Sequence, residues 1–254
     1  MEKKIIVVGS GKGGVGKSTV SVNMCVSLAK KKLKVALLDA DIYGPSIPQM
    51  FGISQKPQVL NKKLLPYSKF GVKSISIGNM IPDKGAVIWR GAMASSAIRQ
   101  LYNDVNWGEI DIMVIDLPPG TGDIQLSLCQ NFSILGSVIV STPQEVSLID
   151  VRKAINMFKK VNVPVLGLIQ NMSYLEENSK KNFIFGKNGV LNEAKLQNLN
   201  FLGEIPIYKK ISESGDIGEP CSFSDQEVGE IFEDITENLL DSMKKVKIKK
   251  VKIE

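Results

Sequence analysis

Residues 9–19 read Gly9-Ser-Gly-Lys-Gly-Gly-Val-Gly-Lys-Ser-Thr19. Within them, Gly11 to Ser18 satisfy G-x-x-x-x-G-K-[ST], the phosphate-binding loop or P-loop pattern. An apolar run of strand type, Ile5-Ile6-Val7-Val8, precedes the loop, and a helix is expected from Ser18 onward. Strand, glycine loop and helix follow in the order that phosphate binding requires. Gly11, Gly13, Gly14 and Gly16 lack a Cβ, so the backbone N–H groups of the loop, Val15 included, can curl around an anion. The helix N-terminus adds its partial positive charge. Lys17 is then placed to reach β- and γ-phosphates, and the Ser18 hydroxyl to ligate Mg²⁺. Lys12 is a second lysine inside the loop and its more discriminating residue.

Composition narrows the chemistry. The chain has 254 residues, 43% of them hydrophobic, as in a globular protein. No apolar run approaches the roughly 20 residues of a membrane span. Only four apolar residues follow Lys3 and Lys4, too few for a signal-peptide core, so a cytoplasmic protein is expected. Three scattered cysteines, Cys25, Cys129 and Cys221, argue against a disulfide framework. Cys25 and Cys129 fall on expected helices whose apolar faces would bury them, and Cys221 on an expected loop. Histidine is absent, which removes Ser-His-Asp and Cys-His catalysis and histidine-bound zinc. The net charge of +6 is local: residues 244–254 hold six Lys and one Glu. A basic tail of this kind usually serves as a solvated end, and binding of nucleic acid or lipid by it is not expected.

Strand-like runs at Ile5–Val8, Val35–Leu38, Val72–Ile77, Ile112–Ile115, Val138–Val140, Val165–Ile169 and Phe201–Leu202 alternate with helical stretches. The helices are expected at Ser18–Lys31, Ala92–Tyr102, Ile124–Cys129, Val146–Lys160, Val190–Gln197 and Gln226–Met243. Uninterrupted Val/Ile/Leu strands are those covered on both faces. The expectation is therefore an α/β fold with a doubly wound, mostly parallel sheet, in one domain over residues 1–243 with a lysine-rich tail at 244–254. Ligands of such sheets bind beyond the carboxyl ends of the strands, where the glycine loop lies. The last helix has an apolar stripe and an acidic opposite face, which suits packing on the domain rather than on a membrane.

Two more strand ends carry carboxylates. Val35-Ala-Leu-Leu-Asp39-Ala-Asp41 runs into Gly44-Pro45-Ser46, and Asp41 is the candidate to orient an attacking water or hold Mg²⁺. Asp39 reads equally well as a loop cap. Asp111-Ile-Met-Val-Ile-Asp116-Leu-Pro-Pro-Gly-Thr-Gly-Asp123 is a buried strand ending in Asp116, the Walker B arrangement that places a carboxylate near the metal. Its Pro/Gly loop is built to sense a γ-phosphate and move when it leaves. A further strand ends at Asn171, whose amide offers both donor and acceptor to an adenine edge, or caps a turn.

Together these segments resemble the deviant Walker A ATPases of the MinD, ParA and nitrogenase iron protein group, whose signature is Lys12 in Gly-Lys-Gly-Gly-Val-Gly-Lys-Ser. Within that group the chain is most similar to the Mrp/ApbC iron–sulfur carriers. The matching stretches are Asp39-Ala-Asp-Ile-Tyr-Gly-Pro-Ser46, Arg90-Gly-Ala-Met93, Asp116–Asp123, Thr142-Pro-Gln144, Asn171-Met-Ser-Tyr174 and Gly203-Glu-Ile-Pro206. The resemblance implies a P-loop NTPase that dimerises around two Mg-ATP, with Lys12 reaching the partner's nucleotide. Lys17, Ser18 and Thr19 match the phosphate and metal positions, Asp41 the water-orienting residue, Asp116 the Walker B acid and Asn171 the adenine contact. It also implies slow, switch-like hydrolysis and work on iron–sulfur apoproteins or assembly factors. One stretch departs from the family: a Cys-x-x-Cys usually follows Asn-Met-Ser-Tyr, whereas here Leu175–Phe183 contains no cysteine. The cluster ligands are therefore not evident. A positioning or partition ATPase and an adaptor without a cluster are the alternative readings.

Overall fold

The computed structural model describes residues 3–80 and 91–246, apart from the side chain of Met80. In chain order the elements are β1 (Lys4–Gly9), α1 (Lys17–Lys30), β2 (Val35–Asp39), α2 (Ile47–Met50), β3 (Val59–Leu60), β4 (Lys63–Leu64), β5 (Tyr67–Lys69) and β6 (Val72–Ser76). After a 3₁₀ turn at Ile77–Met80 come α3 (Gly91–Asp104), β7 (Ile112–Asp116), α4 (Asp123–Asn131), β8 (Ile134–Ser141), α5 (Glu145–Lys160) and β9 (Val165–Gln170). The chain closes with β10 (Leu175–Glu177), β11 (Lys180–Asn182), α6 (Gly189–Leu196), β12 (Phe201–Glu204), α7 (Lys209–Ile217), α8 (Cys221–Ser224) and α9 (Gln226–Lys245).

Eight strands form one sheet in the order β12-β9-β8-β1-β7-β2-β6-β5. All pairings in it are parallel except β5 with β6 at one edge. The mostly parallel, doubly wound α/β architecture read from the sequence is the one observed. Alternation along each strand splits the apolar residues between two faces. Ile5 and Val7 of β1 join a core with α3, α4, α5 and α6. Ile6 and Val8 join a second core with α1, α8 and α9. Both faces being covered explains why the strands read as continuous aliphatic runs.

This layering fixes where a ligand can reach the sheet. β1 lies between β7 and β8, and the chain crosses from one side of β1 to the other between those two strands. The carboxyl end of β1 is thus central, and the glycine loop leaves the sheet at its switch point. Register aligns Val8 with Asp116, Asp116 with Asp39 and Asp39 with Ser76. One row across the sheet's carboxyl edge therefore carries two of the expected acids.

Several boundaries differ from the sequence expectation. β8 begins at Ile134, α9 runs to Lys245, and α7 and the short strands β3, β4, β5, β10 and β11 have too little apolar periodicity to be read from sequence. Cys221, expected in a loop, instead opens α8 and is buried. The reason is a clasp between helices: Ser222 N–H donates to Asn23 Oδ1 at 2.8 Å, and Ser222 Oγ to the Asn23 carbonyl at 3.1 Å. That pins the segment onto α1. Arg90 of the Arg90–Met93 stretch and residues 247–254 of the lysine tail lie outside the described residues. Among the described residues no helix is long and apolar enough to cross a membrane.

Candidate functional site

Gly11 to Gly16 form the turn between β1 and α1 that the pattern requires. Gly11 is there for space: a Cβ would sit 2.3 Å from the backbone carbon of Asp150 in α5. Ser10 Oγ donates to the Lys12 carbonyl at 2.9 Å, closing the loop from its strand side. Gly13 and Gly14 are exposed and Val15 is buried. Lys12 is half-exposed, and among the described residues its ammonium makes no ion pair.

α1 starts at Lys17 and delivers that side chain into the row of acids. The Lys17 ammonium donates to Asp116 Oδ2 at 2.7 Å and lies 3.7 Å from Asp41 Oδ2, with only 5% of its side chain exposed. Ser18 Oγ donates to the same Asp116 oxygen at 2.6 Å, and Lys17 Nζ lies 3.1 Å from Ser18 Oγ. Four of the sequence candidates, Lys17, Ser18, Asp41 and Asp116, thus meet in one cluster. Asp116 is fully buried, and Ser21 Oγ satisfies its other oxygen at 2.6 Å. Sequence reading missed Ser21, although it lies one helical turn after Lys17 on the same face of α1. Thr19 sits in the first turn, where its carbonyl accepts from the Asn23 amide at 2.9 Å.

The two acids after β2 separate in role. Asp41 faces Lys17, while its Oδ1 accepts weakly from Tyr43 and Gly44 N–H at 3.3 and 3.4 Å. Asp39 turns back into the fold as a cap, accepting from Asp41 N–H at 3.0 Å and Ser76 Oγ at 2.8 Å. Burial, and then the carboxylate of Asp116 beside it in the row, push the Asp39 carboxyl up to about 7. Ser76 was invisible in sequence, because only strand pairing brings it to Asp39.

The Pro118–Gly122 loop lies against the glycine loop, with Gly120 N–H donating to the Ser10 carbonyl at 2.9 Å. Gln125 of α4 holds it by donating to the Pro118 and Pro119 carbonyls at 3.1 and 2.8 Å, a contact the sequence does not announce. Asn171 is also brought to the site: its amide donates to the Val15 carbonyl at 2.8 Å. The cysteines are not brought together as ligands. Cys25, Cys129 and Cys221 are free and buried, and among the described residues no group of three or more metal-binding side chains of the Cys, His, Asp or Glu type assembles. A buried ammonium, a hydroxyl and two carboxylates at a helix N-terminus are suited to binding and transferring a phosphoryl group.

Comparison with known proteins identifies the family. The family described as ParA, NUBPL iron-transfer P-loop NTPase, matches residues 2–240. An Arabidopsis thaliana iron–sulfur protein required for mitochondrial NADH dehydrogenase is 45% identical over 96% of this chain and 80% of its own length. An iron–sulfur cluster carrier protein of Aquifex aeolicus is 47% identical over 91% of this chain, which spans 65% of that relative, less than two thirds of it. A nucleotide-binding protein of Archaeoglobus fulgidus, solved with ADP, superposes with a TM-score of 0.76 at 39% identity, over 85% of this chain and 87% of that one. MinD of Pyrococcus horikoshii shares the fold, with a TM-score of 0.72 at 21% identity over 98% of this chain and all of its own. The chain belongs to the iron-transfer P-loop NTPase family.

The raised Asp39 carboxyl has a thermodynamic consequence. Between about pH 4 and pH 7 the folded chain holds a proton that the unfolded chain releases. The contribution of this group to stability is therefore greatest below the unfolded value and is lost as pH rises through the folded one. Asp39→Asn keeps both hydrogen bonds, since Ser76 Oγ can accept from the new amide. It is expected to flatten that slope and to stabilise the protein at pH 8 by roughly 2–4 kcal/mol. Urea unfolding at pH 5 and pH 8 measures this, and an unchanged slope in the variant would refute it.

Proposed function

We propose that this member of the family is a homodimeric Mg-ATPase that uses ATP binding and hydrolysis as a slow conformational switch. Its work is the transfer or assembly of iron–sulfur clusters for apoproteins. The observation that carries this reading is the buried cluster in which Lys17 and Ser18 converge on Asp116 beside Asp41.

Gly11 to Thr19 cradle the phosphates, with Lys17 on the β- and γ-groups and Asn171 on adenine. Asp41 orients a water for attack on the γ-phosphorus; the bond to ADP breaks, and ADP and inorganic phosphate leave. The hydroxyl of Ser18 and the carboxylates of Asp41 and Asp116 are hard oxygen donors of the kind Mg²⁺ takes. Mg²⁺ held there would neutralise negative charge on the phosphate oxygens. Asp116, which already accepts from three protein donors, would contribute its charge to holding the ion. Lys12, half-exposed at the mouth of the loop, is the group that reaches a partner's nucleotide. Loss of the γ-phosphate releases Pro118–Gly122 and with it the dimer. Residues 1–243 act as one ATPase domain, in the cytoplasm, where free thiols persist.

The cluster is cargo, and this chain's cysteines do not fit it. Clusters take four thiolates, and although a dimer holds six cysteines, Cys25, Cys129 and Cys221 are each buried within their own chain. Burial raises the Cys25 and Cys221 thiols and pushes Cys129 up to about 12. Partner proteins therefore supply the cluster ligands, and this chain supplies the ATP-driven step. The same observation favours a second reading, an adaptor that regulates cluster assembly without touching a cluster.

Lys17→Ala is expected to abolish ATP binding, whereas Asp41→Ala keeps binding and loses at least ~100-fold in hydrolysis. Wild-type turnover by Lys17→Ala would sink the assignment, and normal turnover by Asp41→Ala would remove its role with water. Lys12→Ala should bind ATP as a monomer and hydrolyse it poorly, as read by light scattering and phosphate release; full activity without dimers would refute the cross-dimer role. Anaerobic reconstitution with iron and sulfide should leave no protein-bound iron after desalting. A stable cluster would show that these buried thiols can open to ligate it.

A further inference from the structure

Asn171 is held more tightly than an adenine contact needs. Its backbone N–H donates to the Ser141 carbonyl at 2.8 Å, and two residues on Ser173 N–H donates to Ile205 at 3.0 Å. Between them Met172 adopts a left-handed conformation, with φ of 54°. The preceding Gln170, fully buried, accepts from Val190 N–H and donates to Ser173 Oγ, both at 3.0 Å. The turn after β9 is thus fixed to β8, β12 and α6, and it aims the Asn171 amide at the glycine loop.

The amide fills a space that only glycine leaves. Gly16 has φ of 81°, and a Cβ there would lie 2.2 Å from Asn171 Nδ2. Into that gap the amide donates to the carbonyl of Val15, which is 2% exposed. A trans peptide is planar, with its C=O and N–H opposed. Holding the Val15 carbonyl toward Asn171 therefore turns the Gly16 N–H the other way, away from Asn171.

We propose that Asn171 is a positioning residue for phosphate: it acts through the Val15–Gly16 peptide to set the anion-binding nest before any nucleotide arrives. The proposal rests on the ATP-binding reading above. It is compatible with adenine contact, because an Asn amide has two N–H groups and an oxygen, and Val15 uses one N–H. The remaining N–H and oxygen are the donor–acceptor pair an adenine edge needs. Asn171 thereby ties base recognition to phosphate recognition, so that a nucleotide seated on the base side meets a loop already shaped for its phosphates.

Inorganic tripolyphosphate separates the two roles, because it has no base. Calorimetry would compare ATP and tripolyphosphate, each with Mg²⁺, on wild type, Asn171→Ala and Asn171→Leu. The variants are expected to unfold within about 4 °C of wild type, as for loss of one hydrogen bond in a chain of this size. They should bind tripolyphosphate about tenfold more weakly and ATP at least as much. Loss of ATP affinity with unchanged tripolyphosphate affinity would overturn the proposal and leave Asn171 a base contact alone. Failure of wild type to bind either ligand would overturn the ATPase reading itself and the proposal with it. Should neither variant fold, NMR of wild type decides: one Asn171 amide proton should exchange slowly both free and with tripolyphosphate. Fast exchange in both states would overturn the proposal.

Discussion

The pairing of Lys17 with Asp116 is the constraint around which the rest of the structure is arranged. Both groups are buried, and removing either partner would leave an uncompensated charge at a cost of roughly 3–5 kcal/mol. The pair is affordable because Asp116 accepts from Lys17, Ser18 and Ser21 at once. It exists only because β7 lies beside β1, so that the last residue of one strand faces the helix that leaves the other. The ammonium is therefore already desolvated and aimed by the fold itself. In the proposed function a phosphate bound there would exchange one charged partner for another rather than strip water from a free lysine.

Around that pair the loops are fixed by contacts that differ in kind. Gly11 is pressed against the backbone of α5 by lack of space, and Gly16 accommodates the Asn171 amide. Gly120 bonds to Ser10, while Gln125 holds two proline carbonyls of the same loop. The phosphate loop is thereby tied on one side to the segment that follows β9 and on the other to the segment that follows β7. For the proposed switch this arrangement matters, because a loop that is to report phosphate must touch both the cradle and an element that can move.

The catalytic apparatus and the cargo chemistry come apart in this chain. Lys17, Ser18, Asp41 and Asp116 meet in one cluster, whereas the stretch from Leu175 to Phe183 is an antiparallel hairpin with no thiol. Tyr174 and Phe183 pack edge to face at its base, with the Lys181 ammonium 3.9 Å from the Tyr174 ring centre. The hairpin has its own aromatic footing and needs no metal to fold. The NTPase body is therefore complete without a cluster at this hairpin.

Fold class and phosphate loop were legible in sequence because both are local. Strand periodicity, the glycine spacing and the Asp ends of β2 and β7 are each written within a few consecutive residues. The short strands and α7 were not, because they carry too little apolar periodicity, and the helical setting of Cys221 was not, because it forms through contact of Ser222 with the distant Asn23. Within the site, Lys17, Ser18, Asp41, Asp116 and Asn171 could be named from the chain alone. Their partners Ser76 and Gln125, the buried row of Asp39 beside Asp116, and the hold of Asn171 on Val15 could not. The sequence by itself determined which groups carry charge and where the backbone can bend. Only the tertiary structure decided which charges face one another, because strand order and register, set by two apolar faces packing at once, bring together residues about a hundred positions apart.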